Sequence, residues 1–379
     1  MRILIIVPSY KPAYIYGGPI RSISVLCEAL SRHYQDVEVF TTRANGTTEL
    51  NVISGNLYLI ENVKVRYFSR WTKDHTNFSP GLLRHLFLNA GKYDTIHIHS
   101  WWNLVTIPSA FICLLKGIRP VLSPRGSITQ YTIDHRKSGV KRLIHFMIGR
   151  RLLERATIHS TSIREDHEVG RLVNNVRRYI IPNILELPEK QFDFEEDPNS
   201  LRLIFLGRID RVKNLEFLLK EVTEHVNIPF TLTIVGHGPT EYVETLKQLV
   251  REFPNIKWLG EVDGKEKFKL LALADLLLLP SHTENYGNVV IEALSQGTPA
   301  IVSDQVGAKE YVKDNALGWV IETTPTKWAN RINDLGKEKH KLITMREKAI
   351  LCIKRDFNQD KQVETYLSMY RHHHENNFA

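Results

Sequence analysis

Short strand-like runs alternate with helix-like runs through almost the whole chain, and this alternation limits the fold more than any single motif does. Ile3–Val7, Val37–Thr41, Val63–Phe68, Thr95–His99, Val121–Ser123 and Thr157–His159 are the strand candidates of a first series. Ile20–His33 is its clearest helix, with Ile23, Leu26, Cys27 and Leu30 on one face. Leu201–Leu206 opens a second series, which Leu276–Leu279 continues and Gly318–Ile321 closes. Such alternation implies doubly wound, mostly parallel sheets, and 379 residues suffice for two domains. Glu186–Ser200, rich in acids and holding Pro188 and Pro198, is the expected linker, which gives an N-terminal domain of residues 1–185 and a C-terminal domain of 186–356. The amphipathic stretch 357–373 follows, with Val363, Tyr366, Leu367 and Tyr370 as its apolar residues. His372–His374 is too short for a metal site and is expected to fray at the surface.

In open α/β sheets the βα loops face the ligand crevice. The most informative loop follows Leu276–Leu279 and Pro280 and runs from Ser281 into a helix at Asn288–Gln296, ended by Gly297. Its strand-loop-helix order presents backbone N–H groups and the positive end of a helix dipole, where a diphosphate is favourably held. Gly287 lets a phosphate approach the backbone. Seven residues separate Glu284, in the loop and able to face a ligand, from Glu292, about one turn into the helix and able to accept from sugar hydroxyls. After Leu201–Leu206 comes Gly207-Arg208-Ile209-Asp210-Arg211-Val212-Lys213-Asn214, in which Arg208 and Lys213 can face one diphosphate and Asn214 is placed to cap the next helix. Gly236 belongs to another strand-to-loop turn, Val235–Pro239, and with Gly207 is a candidate for holding the donor.

Glu284-Asn285-Tyr286-Gly287-Asn288-Val289-Val290-Ile291-Glu292, followed by Ala293-Leu294-Ser295-Gln296-Gly297-Thr298-Pro299, resembles the donor signature of the retaining GT-B glycosyltransferases of family 4. The Gly-Arg…Lys-Asn pattern of 207–214 is similar to that family's second donor signature, and Gly17-Gly18 to its N-terminal loop over the donor phosphates. The resemblance spans nearly the whole chain and is most specific in residues 200–310. It implies two Rossmann-like domains facing across a cleft, donor in the C-terminal half and acceptor in the N-terminal half, with the stretch 357–373 crossing back onto the N-terminal domain. It further implies transfer of a hexose-type unit from a UDP- or GDP-linked donor to an acceptor hydroxyl with retention, by attack from the leaving group's own face. Arg208 and Lys213 then neutralise the departing diphosphate, Glu284 binds donor sugar hydroxyls and Glu292 the ribose, while the segment containing Val262 reads the nucleobase through its backbone. Lacking an Asp-x-Asp motif, the chain is expected to use these cations in place of a metal, and no cofactor is expected. Many relatives carry a histidine, touching the donor sugar, where this chain has Arg125. Arg125 either holds an anionic group of donor or acceptor or pairs with a structural carboxylate; His99, which alternation places on one face with His97, is either a core histidine or a substitute.

Charge is divided unevenly. Residues 1–183 hold 25 Lys and Arg against 12 Asp and Glu, a net +13, and residues 184–379 hold 25 against 30, a net −5. A basic N-terminal half suits an anionic partner such as a membrane surface or a lipid diphosphate. Arg136, Lys137, Lys141, Arg142, Arg150, Arg151 and Arg155, set among apolar residues, form a stretch that either lies on an anionic bilayer or is a core helix with a solvated face. A basic nucleic-acid-binding protein is the remote alternative; no interleaved aromatic-basic platform or reading motif accompanies the charge, so nucleic acid is not expected as a partner. Arg2–Val7, stopped by Pro8 and Ser9, reads as a first strand rather than a signal sequence, and no apolar run reaches the roughly 18 residues of a membrane span. The expected location is the cytoplasm, with contact to the inner face of the plasma membrane. Cys27, Cys113 and Cys352 have no partner motif and read as small buried residues. The expected role is assembly of a bacterial surface polysaccharide or glycolipid, onto a glycan or lipid-linked acceptor. A sugar epimerase or phosphorylase of the same fold is the alternative.

Overall fold

The computed structural model describes residues 1–33, 35–128, 148–173 and 176–375. The chain divides into two compact units, Met1–Glu186 with Gln359–Ala379, and Leu187–Asn358.

The first unit carries strands β1 (Arg2–Ile6), β2 (Asp36–Thr42), β3 (Ala44–Asn45), β4 (Thr48–Glu49), β5 (Leu57–Ile60), β6 (Val63–Phe68), β7 (Thr95–His99), β8 (Val121–Ser123), β9 (Thr157–Ser160) and β10 (Arg178–Ile180). Eight of them form one sheet in the order β10-β9-β8-β7-β1-β2-β6-β5, parallel except for β5, which pairs antiparallel with β6. β3 and β4 make a separate two-stranded ribbon. Among the described residues before 187 the α-helices are α1 (Gly18–Arg32), α2 (Pro80–Asn89), α3 (Thr106–Leu115), α4 (Arg150–Glu154) and α5 (Ile163–Gly170). One face of the sheet packs Ile3 and Ile5 with Leu26, Cys27 and Leu30 of α1; the other packs Leu4 and Ile6 with Leu82 and Leu86 of α2. That alternation along β1 follows from the two-residue period of a strand, and covering on both faces is what parallel sheets require.

The second unit has β11 (Leu201–Leu206), β12 (Phe230–Val235), β13 (Ile256–Gly260), β14 (Leu276–Leu279), β15 (Ala300–Val302) and β16 (Gly318–Val320). Its helices are α6 (Leu215–His225), α7 (Thr240–Leu249), α8 (Gly264–Leu273), α9 (Asn288–Ser295), α10 (Lys309–Asp314), α11 (Lys327–Lys337) and α12 (Lys339–Asp356). The sheet order is β13-β12-β11-β14-β15-β16, all parallel. The chain thus winds outward from β11 in one direction and from β14 in the other. That is a doubly wound sheet whose switch point lies between β11 and β14. The four leucines of β14, fully buried, sit at this centre.

Residues 187–200, read as a linker, lie on the second unit. Phe194 stacks beneath the guanidinium of Arg346, 3.6 Å from its ring centroid, and Phe192 N–H donates to Gln296. Such aromatic-cation contacts fasten a segment whose acids and prolines alone read as loose.

The last helix, α13 (Gln359–Glu375), belongs to the first unit, where Val363, Tyr366, Leu367 and Tyr370 join the core of α1 and β1. The expectation of a frayed end at His372–His374 is wrong for His373. Its ring is buried between Thr157 Oγ1 and the Arg119 carbonyl, both 2.9 Å away, because α13 runs on along the sheet to residue 375. Cys27, Cys113 and Cys352 are buried free thiols, and burial pushes Cys27 and Cys113 up to about 12. Among the described residues no helix is long and apolar enough to cross a membrane.

Candidate functional site

The carboxyl edge of the second sheet is built from loops that interlock through their backbones. Gly207 N–H donates to Val235 O at 3.0 Å, Ile209 N–H to His237 O at 2.7 Å, and Gly236 N–H to Gly260 O at 2.7 Å. A Cβ on Gly236 would lie 1.8 Å from Gly207 O, so two loops can touch here only through glycine. Close packing of the two loops constrains Gly236, which the sequence reading places among the donor-binding residues.

At the switch point, Lys213 from the loop after β11 forms an ion pair with Glu284 from the loop after β14. Both side chains are largely buried. Asp210 places Lys213 by accepting from its backbone N–H at 3.2 Å, which caps the single 3-10 turn Arg211–Lys213. Glu284 is placed by a short parallel bridge to Val306: its N–H donates to Gln305 O and its carbonyl accepts from Gly307, each at 3.0 Å. Asn214 sits at the start of α6 in the left-handed region, φ 56°, and its side chain caps nothing. The expected cap fails because the 3-10 turn ends on Asn214 and fixes its backbone first.

Gly287 precedes α9 at φ 90°, again a conformation that favours glycine, and brings the helix N-terminus to the Glu284 loop. Asn285 and Tyr286 lead into this turn, and Asn288 and Val289 open α9; Tyr286 is buried, and its carbonyl accepts from Ala308 N–H at 2.7 Å. Arg208 projects into solvent and pairs with Asp210 at 3.4 Å rather than with Glu284. Val262 follows β13, two strands from β11 on the same sheet edge.

Glu292 lies on α9 and has a partner that sequence reasoning missed. Lys267 Nζ of α8 is 2.9 Å from its carboxylate, with both side chains mostly buried. No local spacing signals this pair, since α8 and α9 are separated by β14. Among the described residues no group of three His, Cys, Asp or Glu is arranged to hold a metal.

Gly17, Gly18 and Arg125 belong to the first unit. Gly17, φ 74°, is the N-terminal cap residue of α1, with Gly18 as its first helical residue. Arg125, φ 54°, follows β8; its Nε–H donates to His99 Nδ1 at 3.2 Å, and its guanidinium binds the Asn183 side-chain oxygen. The carboxylate partner weighed for Arg125 is replaced by these neutral groups. Nearby Glu165 already accepts from Gly126 N–H and Thr161 N–H, at 2.6 and 2.7 Å. His97 and His99 do share a face, their ring centroids 4.0 Å apart. His97 Nδ1 meets Tyr370 Oη at 2.8 Å and its Nε2 lies 3.4 Å from His159 Nδ1. Burial, reinforced by neighbouring histidines and Arg125, holds His97 well below its ordinary pKa, and burial with Arg125 lowers His159 to about 3. Burial and Arg125 likewise keep the His99 ring neutral at pH 7. Because Arg125 donates to Nδ1, the His99 proton resides on Nε2.

The basic stretch singled out in the sequence lies mostly outside the described residues, Arg136, Lys137, Lys141 and Arg142 among them. Arg150, Arg151 and Arg155 are described and exposed, and Arg150 pairs with Glu154 at 2.7 Å.

Residues 187–351 match the family described as "Glycosyl transferases group 1", and residues 17–183 match the "Glycosyl transferase 4-like domain". An uncharacterised glycosyltransferase of Methanocaldococcus jannaschii is 26% identical over 346 residues, 86% of each chain. A sucrose-phosphate synthase from Thermosynechococcus elongatus superposes with a TM-score of 0.76 at 19% identity, covering 98% of both chains. Anabaena HepE, solved in complex with UDP and glucose, gives 0.72 at 18% identity over 97% of this chain and 99% of its own. At these identities the two structures establish likeness of fold.

Proposed function

The chain is a GT-B glycosyltransferase, and we propose that it moves a hexose unit from a nucleoside diphosphate sugar, bound on the second unit, to an acceptor hydroxyl with retention of anomeric configuration. The observation that carries this reading is the meeting of Lys213 and Glu284 at the switch point, beside the N-terminus of α9. A cation, a carboxylate and a helix N-terminus at the carboxyl edge of a doubly wound sheet suit a diphosphate joined to a sugar.

In this reading Lys213 and Arg208 take the negative charge that develops on the departing diphosphate. The α9 dipole adds to their effect. Glu284 holds sugar hydroxyls, and Glu292, fixed by Lys267, holds the ribose. The backbone around Val262 reads the base. UDP is the favoured nucleotide, in keeping with the UDP complex of HepE. The acceptor binds the first unit, where Gly17-Gly18 open α1 and Arg125 follows β8. Its net +13 over residues 1–183 favours an anionic acceptor such as a lipid diphosphate carrying a glycan, which would put the enzyme in surface polysaccharide or glycolipid assembly.

The test is a thermal-shift screen against nucleoside diphosphates and their sugars, followed by product analysis. Stabilisation by one nucleoside diphosphate and its sugar, with an α-linked product from an α-linked donor, is the expected result. Inverted product would remove retention, and release of free epimerised sugar or a phosphate-dependent product would favour the epimerase or phosphorylase.

A further inference from the structure

We propose that β5, the outer strand of the first sheet, pairs antiparallel with β5 of a second copy of the chain and joins two first units into one continuous sheet. The sheet order ends at β5, and among the described residues no strand covers its outer side. An unpaired edge offers a row of backbone N–H and C=O groups to any extended chain, so proteins ordinarily guard it with charge, proline or shortness. β10, at the opposite edge, is three residues long and opens on exposed Arg178. β5 has no such guard: residues 50–60 include no Asp, Glu, Lys, Arg or Pro.

Which groups face outward follows from the hairpin. Glu61 and Asn62, φ 48° and 65°, make a two-residue turn between β5 and β6, with Ile60 paired to Val63 across it. The residues flanking such a turn exchange hydrogen bonds, and hydrogen-bonded and non-bonded pairs then alternate along the ladder. Tyr58 therefore bonds Val65, whereas Leu57 and Leu59 turn their backbone groups away from β6. Their side chains share one face, 47% and 71% exposed, while Tyr58 and Ile60 pack against the core on the other.

Sequence symmetry and charge select a second copy as the occupant. Leu57-Tyr58-Leu59 reads the same in both directions, so a two-fold axis at Tyr58 sets Leu57 against Leu59 of the second copy and Leu59 against Leu57 of the second copy. Each leucine pair exchanges both of its outward backbone hydrogen bonds and removes apolar side chains from water. Lys64 and Arg66 of β6 stand beside these leucines on the same face and would repel their counterparts if uncompensated. Asp36 and Glu38 of β2 pair with them, at 2.8 and 2.6 Å, so the seam is locally neutral although residues 1–183 are net basic. The contact runs along the flank of the sheet rather than across the carboxyl ends of its strands, and each copy keeps its own βα loops.

The experiment is sedimentation velocity of the full chain over increasing concentration, in which wild type should pass from monomer to dimer. A Leu57→Lys, Leu59→Lys variant alters only outward side chains and should weaken self-association by roughly tenfold or more, while keeping its thermal midpoint and its turnover per chain. A Leu57→Cys, Leu59→Cys variant tests the register, since paired Cα atoms roughly 5.5 Å apart suit a disulfide. Mild oxidation should trap it as a dimer that reductant releases, the native thiols being buried. Leu88→Cys, on the exposed side of α2, should not be trapped under the same conditions. A wild type that stays monomeric throughout overturns the proposal, as does a dimer that the lysine variant forms equally well. If the lysine variant loses its thermal midpoint, the cysteine variant decides, and failure to trap a dimer overturns the proposal. Sugar transfer is measured per chain, so failure of the pairing leaves the transferase reading standing.

Discussion

Lys267 Nζ lies 2.9 Å from a carboxylate oxygen of Glu292, a contact between α8 and α9 with both side chains mostly buried. A carboxylate held in this way needs no reorientation to receive a ribose, so Lys267 acts as a positioning residue in the proposed site. Lys267→Met should weaken nucleoside diphosphate binding, and Glu292→Ala should weaken it more. The double variant should bind about as well as Glu292→Ala alone, with a coupling of about 0.5–3 kcal/mol. Calorimetric titration of the three variants checks this; strictly additive losses would show that the lysine does not act through Glu292.

Arg208 and Lys213 are assigned to the leaving diphosphate, although only Lys213 is held against the Glu284 loop. Arg208→Ala and Lys213→Ala should each lower turnover by roughly 30- to 1000-fold, about 2–4 kcal/mol. Thermal midpoints should change little for Arg208→Ala, whose side chain is mostly in solvent. If both variants transfer sugar at the wild-type rate, the donor site lies elsewhere.

Glu284 and Glu292 are assigned to different parts of the donor. Glu284→Gln keeps the shape of the side chain and should reduce turnover while leaving affinity for the bare nucleoside diphosphate nearly intact. Glu292→Ala should reduce both. Equal loss of nucleoside diphosphate affinity in the two variants contradicts this division, and so does a sugar ester trapped on Glu284.

Acid should destabilise the first unit through its buried histidines. Burial lowers His159 to about 3 and His373 to about 4, and holds His97 and His99 well below the ordinary value. Between about pH 6.5 and 4 the unfolded chain therefore binds protons that the folded chain refuses. Stability is fully present above pH 6.5 and falls as pH drops, at a limit of about 1.4 kcal/mol per pH unit for each such histidine. Tyr370→Phe, which removes the hydroxyl 2.8 Å from His97 Nδ1, should cost about 1–3 kcal/mol at neutral pH. Denaturant unfolding across this pH range measures both effects; stability that rises on acidification would contradict the account.

Much of the architecture was legible because it is periodic. The runs at 63–68, 95–99, 121–123, 201–206 and 276–279 became strands with those bounds, each a short run in which apolar residues recur at strand spacing or continuously. β5 was not legible: Leu57 and Leu59 point outward at an antiparallel edge, where pairing with β6 rather than burial defines the strand. At the candidate site, the sequence placed Arg208, Lys213 and Glu284 in strand-to-helix loops and Glu292 on the following helix, and each lies there. Three things were decided only by tertiary structure. Lys267 reached Glu292 from another helix, Arg125 turned to His99 and Asn183 rather than to a carboxylate, and His373 became buried. The physical reason is range: periodicity and turn chemistry act over a few residues and are written locally. A side chain's partner depends on which elements the sheet order brings together, as when strand pairing across the switch point sets Lys213 beside Glu284, 71 residues away.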